Sequence, residues 1–146
     1  TSFSPAQFTQ NVTSDSCKTL TFQESLTVPN RRIDQPIMVK TGTDFLMAYK
    51  DGDGEGNFGL AKFNETGEVL WMKSYVHGFS CSEFSCGPRD IIETPEGDYL
   101  INGMAQLRWF TMKVTADGEF LWAREYRDQG TNFGHGMINA PGGGQL

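Results

Sequence analysis

Short runs of apolar and β-branched residues, separated by turn-forming residues, recur along most of this 146-residue chain. The segment 108–114 shows the pattern clearly, because Phe110, Met112 and Val114 alternate with more polar positions. A period of two residues predicts a β-strand whose two faces meet different surroundings. Few segments show helical periodicity, so we expect an all-β chain.

Four such runs occur in succession, twice. The first set is predicted near residues 36–40, 44–50, 58–63 and 69–75. The second set is predicted near residues 89–94, 98–104, 108–114 and 119–126. Asp117-Gly118 precedes the last run, and this dipeptide is a strong signal for a hairpin turn. The pattern therefore predicts two groups of four antiparallel strands.

Two segments of the chain match each other at a spacing of 51 residues, from position 62 to position 113. Segments 62–75 and 113–126 both contain Lys, Gly, Glu, Leu, Trp and Tyr in the same order. The basic residue two positions after each Trp is Lys73 in one copy and Arg124 in the other. An internal period of this size, with four short strands in each copy, is typical of β-propeller blades.

The repeat predicts how the chain is divided. We expect an N-terminal segment at 1–35, a first blade at 36–80, an inter-blade loop at 81–88, a second blade at 89–130 and the start of a third blade at 131–146. The start of a third blade is predicted because the segment Met137–Gly143 resembles the segment Ile91–Gly97. Two blades and a fragment cannot close a ring, so we expect a fragment of a larger propeller, completed by further blades of the same chain or by another subunit.

The N-terminal segment fits no blade clearly. Residues 1–16 are polar and rich in turn formers, whereas Thr19–Val28 has the composition of a strand. In a propeller, an N-terminal strand that completes the last blade would cover an otherwise open edge. Thr19–Val28 is the candidate for this ring-closing strand, and an ordered strap across the first blade is the alternative.

The segment 61–71 resembles the tryptophan-docking motif A-x-D-x-x-T-G-x-x-x-W of pyrroloquinoline-quinone dehydrogenases and their non-enzymatic relatives. The matching residues are Ala61, Thr66, Gly67 and Trp71 in the first copy, and Gly118 and Trp122 in the second. Phe63 stands where the motif has an acid. The Trp-x-Lys/Arg-x-Tyr ending is also similar to repeats of large secreted bacterial propellers, many of them on cell surfaces. The resemblance implies blade architecture, but no quinone-binding or calcium-binding residue of the dehydrogenases can be placed in this sequence.

The residues of the motif fit a structural role. Gly67 and Gly118 permit the positive φ that a tight hairpin demands. Trp71 and Trp122 then follow at the same step on the outer strand of each blade. A ring at that place can pack between neighbouring blades and bury about 150–250 Å². Core packing is therefore the preferred interpretation of both Trp residues.

Composition limits the kind of partner and the compartment. A net charge of −6 argues against nucleic acid, and no apolar run is long enough to span a membrane. Cys81 and Cys86 lie in the loop between the blades, where a disulfide is favoured and free thiols are the alternative. Cys17 is left without an assigned partner. A disulfide favours an extracellular or cell-surface location, with the periplasm and outer membrane included.

One acidic loop is a candidate metal site. Oxygen ligands alternate with glycines in segment 51–57, and the candidate ligands are Asp51, Asp53, Glu55 and Asn57. A hard cation such as Ca²⁺ requires ligands of this kind. However, Lys62 occupies the twelfth position of the loop, where an EF-hand has its bidentate Glu. A flexible acidic hairpin loop is the favoured alternative.

The remaining candidates for chemistry are few. His77 and His135 lie in glycine-containing segments between blades, and Arg89-Asp90 begins an inner strand that could line a central channel. These features favour a binding or structural scaffold that meets a protein or carbohydrate partner on its loop faces. The alternative is part of a propeller enzyme, such as a quinoprotein dehydrogenase, a lyase or a hydrolase, with its active site in other blades.

Overall fold

The chain divides into two compact units, Thr1–Arg32 and Ile33–Leu146. The computed structural model describes residues 7–11, 23–27, 33–51, 57–75, 86–105, 108–126 and 137. In the first unit, β1 (Gln7–Asn11) and β2 (Gln23–Thr27) form a two-stranded antiparallel sheet. β2 lies inside the predicted strand segment, whereas β1 falls in the segment with polar, turn-rich composition. The ring-closing role of β2 stays a prediction.

The second unit contains two four-stranded antiparallel sheets. The first sheet consists of β3 (Ile33–Thr41), β4 (Asp44–Asp51), β5 (Asn57–Phe63) and β6 (Val69–Tyr75). The second sheet consists of β7 (Gly87–Glu93), β8 (Tyr99–Ala105), β9 (Arg108–Val114) and β10 (Phe120–Tyr126). Within each sheet, every strand pairs with the next strand along the chain. The prediction of an all-β chain with two groups of four antiparallel strands is confirmed. Where the chain is described it forms no helix, and hence none long and apolar enough to cross a membrane.

The same type of turn occurs at three places in the two sheets. Its glycine has positive φ, with values of 86° at Gly67, 86° at Gly97 and 74° at Gly118. The amide of that glycine donates to the carbonyl three residues earlier, at 2.9–3.0 Å. A side chain at positive φ is strained, which explains the glycine in each turn. The turns at Gly67 and Gly118 both precede the last strand of a sheet, β6 or β10, which we call its outer strand.

The core lies between the two sheets and draws on both. Its buried residues are Leu46, Ala48, Phe58 and Leu60 of the first sheet, and Cys86, Ile91, Tyr99, Ile101, Ala105, Phe110, Met112 and Val114 from the second sheet and the residue that precedes it. The rings of Phe58 and Phe110 meet across the sheets, with their centroids 4.7 Å apart. Strands β3 and β4 lie beside β7, so the sheets are also in contact at their first strands.

Bulges occur in matching strands of the two sheets. The first strands change register between Asp34 and Ile37 in β3 and between Pro88 and Asp90 in β7. In the outer strands, one extra residue precedes Trp71 in β6, and one precedes Trp122 in β10. As a result Trp71 lies opposite Lys62, and Trp122 lies opposite Lys113, in equivalent positions.

Gln35, in the β3 bulge, helps to join the sheets. It has a positive φ of 49°, and the bulge also accommodates Pro36, which has no amide to donate. The Gln35 side chain lies against Gly87 at the start of β7. A Cβ added to Gly87 would be only 2.3 Å from Gln35 Oε1. Glycine at position 87 therefore allows the first strands of the two sheets to approach closely.

Each sheet also pairs a glycine with an aromatic ring on its two middle strands, but the strand that carries the ring differs between the sheets. Tyr49 on β4 faces Gly59 on β5, whereas Gly103 on β8 faces Phe110 on β9. A Cβ added to Gly59 would lie 2.0 Å from the Tyr49 ring, and one added to Gly103 would lie 2.4 Å from the Phe110 ring. Each ring thus covers the bare backbone of its partner, and each pair requires one glycine.

We predict that Gly59→Phe destabilises the protein strongly, because two rings would compete for one space, whereas Gly59→Ala costs about 1–3 kcal/mol, as for other overpacked cores. Combining Gly59→Phe with Tyr49→Gly copies the arrangement of the second sheet and should recover most of the loss. Urea unfolding followed by circular dichroism measures these free energies. If Tyr49→Gly brings no recovery, the rings do not compete for this space.

Candidate functional site

The candidate site is the place where the outer edges of the two sheets meet. Trp71, Lys73 and Tyr75 occupy alternate positions on β6, so their side chains project from one face. Trp71 and Tyr75 are partly buried against the core between the sheets. The turn 115–119 of the second sheet lies against this row of side chains.

The Trp71 ring packs on the backbone of Gly118. A Cβ added to Gly118 would lie 2.8 Å from Cζ3 and 2.9 Å from Cη2 of that ring. The same Cβ would lie 3.1 Å from Cδ of Lys73. Glycine is therefore required at position 118 for two reasons, its positive φ and the closeness of the ring.

Two polar contacts fix the orientation of this interface. The Tyr75 hydroxyl donates a hydrogen bond to the Gly118 carbonyl at 2.6 Å. Burial raises the pKa of the Tyr75 phenol above its ordinary value, and the charges of Glu119 and of ionised Tyr49 raise it further. The Lys73 ammonium pairs with the Glu119 carboxylate and lies 5.9 Å from the centroid of the Trp71 ring. Because Glu119 is exposed, this ion pair contributes at most about 1 kcal/mol.

Lys62 connects the sheets closer to their centre. Its Nζ lies 3.4 Å from Asp44 in its own sheet and 5.7 Å from the centroid of the Tyr99 ring in the second sheet. Burial alone would lower the pKa of Lys62, but Tyr99 and Asp44 raise it above its ordinary value, so the side chain stays charged. The equivalent ion pair in the second sheet joins Lys113 to Asp98 at 2.9 Å.

An equivalent row of side chains lies on β10. We call Trp122, Arg124 and Tyr126 the β10 surface; they match Trp71, Lys73 and Tyr75 in spacing and register. The Arg124 guanidinium lies 5.2 Å from the centroid of the Trp122 ring. Trp122 is partly buried, as Trp71 is, but Tyr126 is 54% exposed.

The structure describes only part of the candidate calcium site. Asp51 ends β4 and is 1% exposed, and its Oδ2 accepts a hydrogen bond from the Ser74 hydroxyl at 3.0 Å. Asp53 and Glu55 lie outside the described residues, and Asn57 is described only by its backbone at the start of β5. Among the described residues, no three His, Cys, Asp or Glu side chains are placed to hold a metal. The calcium site stays a prediction.

The other candidates are placed as follows. Cys86 is buried in the core, but Cys81 lies outside the described residues, so their disulfide stays a prediction. His77 and His135 also lie outside them. Asp90 holds backbone amides, since its Oδ1 accepts from Ile91 at 2.9 Å and its Oδ2 accepts from Met137. A place for Arg89 and Asp90 in a central channel stays a prediction.

Sequence reasoning assigned roles to the repeated Trp and Gly residues but missed the role of their neighbours. Tyr75, Lys73 and Glu119 all contact residues across the interface. The available signal was the recurrence of all three at a spacing of 51 residues, with Lys73 and Tyr75 also on the same strand face as Trp71. Nothing in the sequence identified Gly118 and Glu119 as the partners of Tyr75 and Lys73.

Comparison with known proteins gives information about the fold and not about the function. No protein family model and no curated protein matches the chain. The chain is similar to the crystal structure of a protein of unknown function from Bacteroides caccae, with a TM-score of 0.50 and 15% sequence identity. The similarity covers 98% of this chain and 50% of that chain, so this chain spans half the length of its structural neighbour.

We predict that Gly118→Ala destabilises the protein by about 1–3 kcal/mol more than Gly97→Ala, because its methyl group meets the Trp71 ring. Gly97 is a matched control, since it has positive φ and the same turn hydrogen bonds but nothing within 4 Å of an added Cβ. Urea unfolding gives both values. Repeating the comparison in a Trp71→Ala background should remove most of the difference, because only the flexible Lys73 side chain then remains close to the added methyl group. Equal losses in the parent protein would mean that the ring does not restrict position 118.

We predict that the advantage of Tyr75 over phenylalanine disappears at high pH. The folded-state pKa of Tyr75 is raised, so its contribution is present below the ordinary value of about 10 and is lost as the pH rises above it. Tyr75→Phe should therefore be less stable than the parent near pH 8, with a smaller difference near pH 11. Urea unfolding at both pH values measures this, with Tyr126→Phe as the exposed control. A constant difference would contradict the effect.

Proposed function

We propose that the two sheets are consecutive blades of a β-propeller, and that the protein is a secreted or cell-surface scaffold. Its loop faces would bind a protein or carbohydrate partner. The observation that carries this proposal is the interface between the sheets. Trp71, Lys73 and Tyr75 hold the next sheet with residues that recur 51 positions later in the chain.

A propeller explains why two like sheets pack in this way. Both sheets have the same strand order, and they are in contact at their first strands, where Gln35 meets Gly87, and at their outer edges, where Trp71 meets Gly118. A contact between two different surfaces of a repeated unit can continue from unit to unit, and it closes into a ring when the rotation permits. Radial arrays of four-stranded sheets are the propeller solution to this geometry.

The scaffold role is supported by what the repeated residues do. Trp71 and Tyr75 pack between sheets, Gly67 and Gly118 form turns, and Lys62 pairs with Asp44. The residues that define the repeat thus have structural roles, and the loops are left to meet partners. The resemblance to tryptophan-docking blades supports the same interpretation. No observation among the described residues favours the alternative of a propeller enzyme.

Location outside the cytoplasm is the second half of the proposal. The repeat ending resembles that of secreted bacterial propellers, and the predicted bridge between Cys81 and Cys86 would be stable only in an oxidising compartment. The net charge of −6 fits a soluble surface better than a surface for nucleic acid.

The proposal is tested on the native protein isolated from its source. Its structure should show four-stranded sheets arranged around a central axis, in the range of about 4–8 sheets for propellers. Cell fractionation with surface biotinylation should recover it outside the cytoplasm, with a cytoplasmic protein as the control. A closed two-sheet sandwich would refute the propeller, and a cytoplasmic protein with reduced thiols would refute the location.

A further inference from the structure

We infer that the β10 surface holds a third four-stranded repeat of the same polypeptide, through a hairpin turn with glycine at positive φ followed by an acidic residue. The inference rests on the proposed propeller function and deepens it. It assigns a binding role to Trp122, Arg124 and Tyr126, which the described contacts of the second sheet do not explain.

The first argument is continuity with an interface that the protein already contains. Trp122 follows a bulge on β10 and lies opposite Lys113, as Trp71 follows a bulge on β6 and lies opposite Lys62. Each Lys forms an ion pair inside its own sheet, with Asp44 or with Asp98. The β10 surface therefore repeats the geometry of Trp71, Lys73 and Tyr75 on β6, the side chains that contact the second sheet.

The second argument is charge. Arg124 lies beside the Trp122 ring, as Lys73 lies beside the Trp71 ring, so both surfaces present a cation next to an indole. Lys73 is paired with Glu119, the residue after the turn glycine. An acidic residue follows the turn glycine at all three turns of this kind in the described sheets, as Glu68, Asp98 or Glu119. The same residue type in the next repeat would meet Arg124.

The third argument is the difference between two equivalent tyrosines. Tyr75 is partly buried and donates its hydroxyl hydrogen to the Gly118 carbonyl. Tyr126 has the equivalent position on β10, yet it is 54% exposed. A turn placed on the β10 surface as the turn 115–119 is placed on β6 would bury this ring and accept a hydrogen bond from its hydroxyl.

The path of the chain favours the same polypeptide as the source of the repeat. The Met137 amide donates to the carboxylate of Asp90, which holds this point of the chain against the bulge in β7. Met137 begins the segment that mirrors Ile91–Gly97, the β7 end and turn of the second sheet. The chain thus returns to the first strand of the second sheet before the mirrored segment begins. A repeat that starts there would have its outer turn near β10.

Hydroxyl-radical footprinting with mass spectrometry tests the inference. In the 146-residue chain, Tyr126 should be oxidised faster than Tyr75. In the native protein from its source, the oxidation rates of Tyr126 and Trp122 should fall to those of Tyr75 and Trp71. Undiminished oxidation of Tyr126 in the native protein would overturn the inference. Protection that requires a second copy of a 146-residue protein would also overturn it, because the partner would then be another chain.

Charge reversal provides the second arm of the test. In the native protein, Arg124→Glu should increase the oxidation of Tyr126, and reversing the acidic residue after the turn glycine of the next repeat should restore protection. Lys73→Glu with Glu119→Lys calibrates the size of this effect at the interface already described. Lys40→Glu, an equal charge change at an exposed residue of β3 in the first sheet, is the matched control. If Arg124→Glu and Lys40→Glu leave the same protection, Arg124 does not bind the turn.

The result of this test is distinguishable from the result of the test of the proposed function. Protection of Tyr126 by a further repeat is expected whether the protein is secreted or cytoplasmic, and whether the repeats close a ring or extend as an array. A radial, exported protein with an exposed β10 surface would support the scaffold and refute this inference.

Discussion

The packing of the Trp71 ring on the backbone of Gly118 is the contact on which the rest of the two-sheet unit depends. A side chain at position 118 would overlap the ring, and loss of the ring would open a void at the outer edge of the core. The opposite edge uses the same device, since the Gln35 side chain lies on Gly87. Both edges are therefore held by a large side chain on a bare backbone. These two contacts fix the spacing at which Phe58 and Phe110 meet.

The contacts at the outer edge differ in what they contribute. Removing a buried aromatic ring typically costs about 3–5 kcal/mol, and partial exposure of Trp71 places it toward the lower end. The hydrogen bond from Tyr75 contributes about 0.5–1.5 kcal/mol, and the exposed pair of Lys73 and Glu119 contributes less. Of the contacts at the outer edge, the Trp71 ring thus contributes most to the free energy of unfolding. The polar contacts, which depend on direction, determine where on the ring the turn is placed.

The sequence predicted the regular part of this fold because the governing signals are local. Alternation and turn residues located all eight strands of the two sheets, with ends that differ by three residues or fewer. Partners across the interface are not local, so Tyr75 and Glu119 were recognised only as recurring residues. The sequence also did not reveal the exchange of glycine and ring between the pair Tyr49–Gly59 and the pair Gly103–Phe110. Packing requires one glycine and one ring in each pair, but it does not determine which strand carries the ring. Asp51 was one of the candidate calcium ligands, and the sequence did not indicate the hydrogen bond that its carboxylate accepts from Ser74 on β6.

The interface has a direction, because its two sides are different. The first sheet contributes the row of side chains on β6, and the second contributes the glycine turn 115–119, so in the proposed propeller each sheet would use two different surfaces for its two neighbours. The first sheet carries its own turn at Gly67 with Glu68, and the second carries the β10 surface. In the proposed propeller, a match of a few residues per sheet would maintain the order of the sheets along the chain, and the remaining positions would be limited only by strand packing. Partner binding, as proposed, would depend on loops that this matching does not constrain.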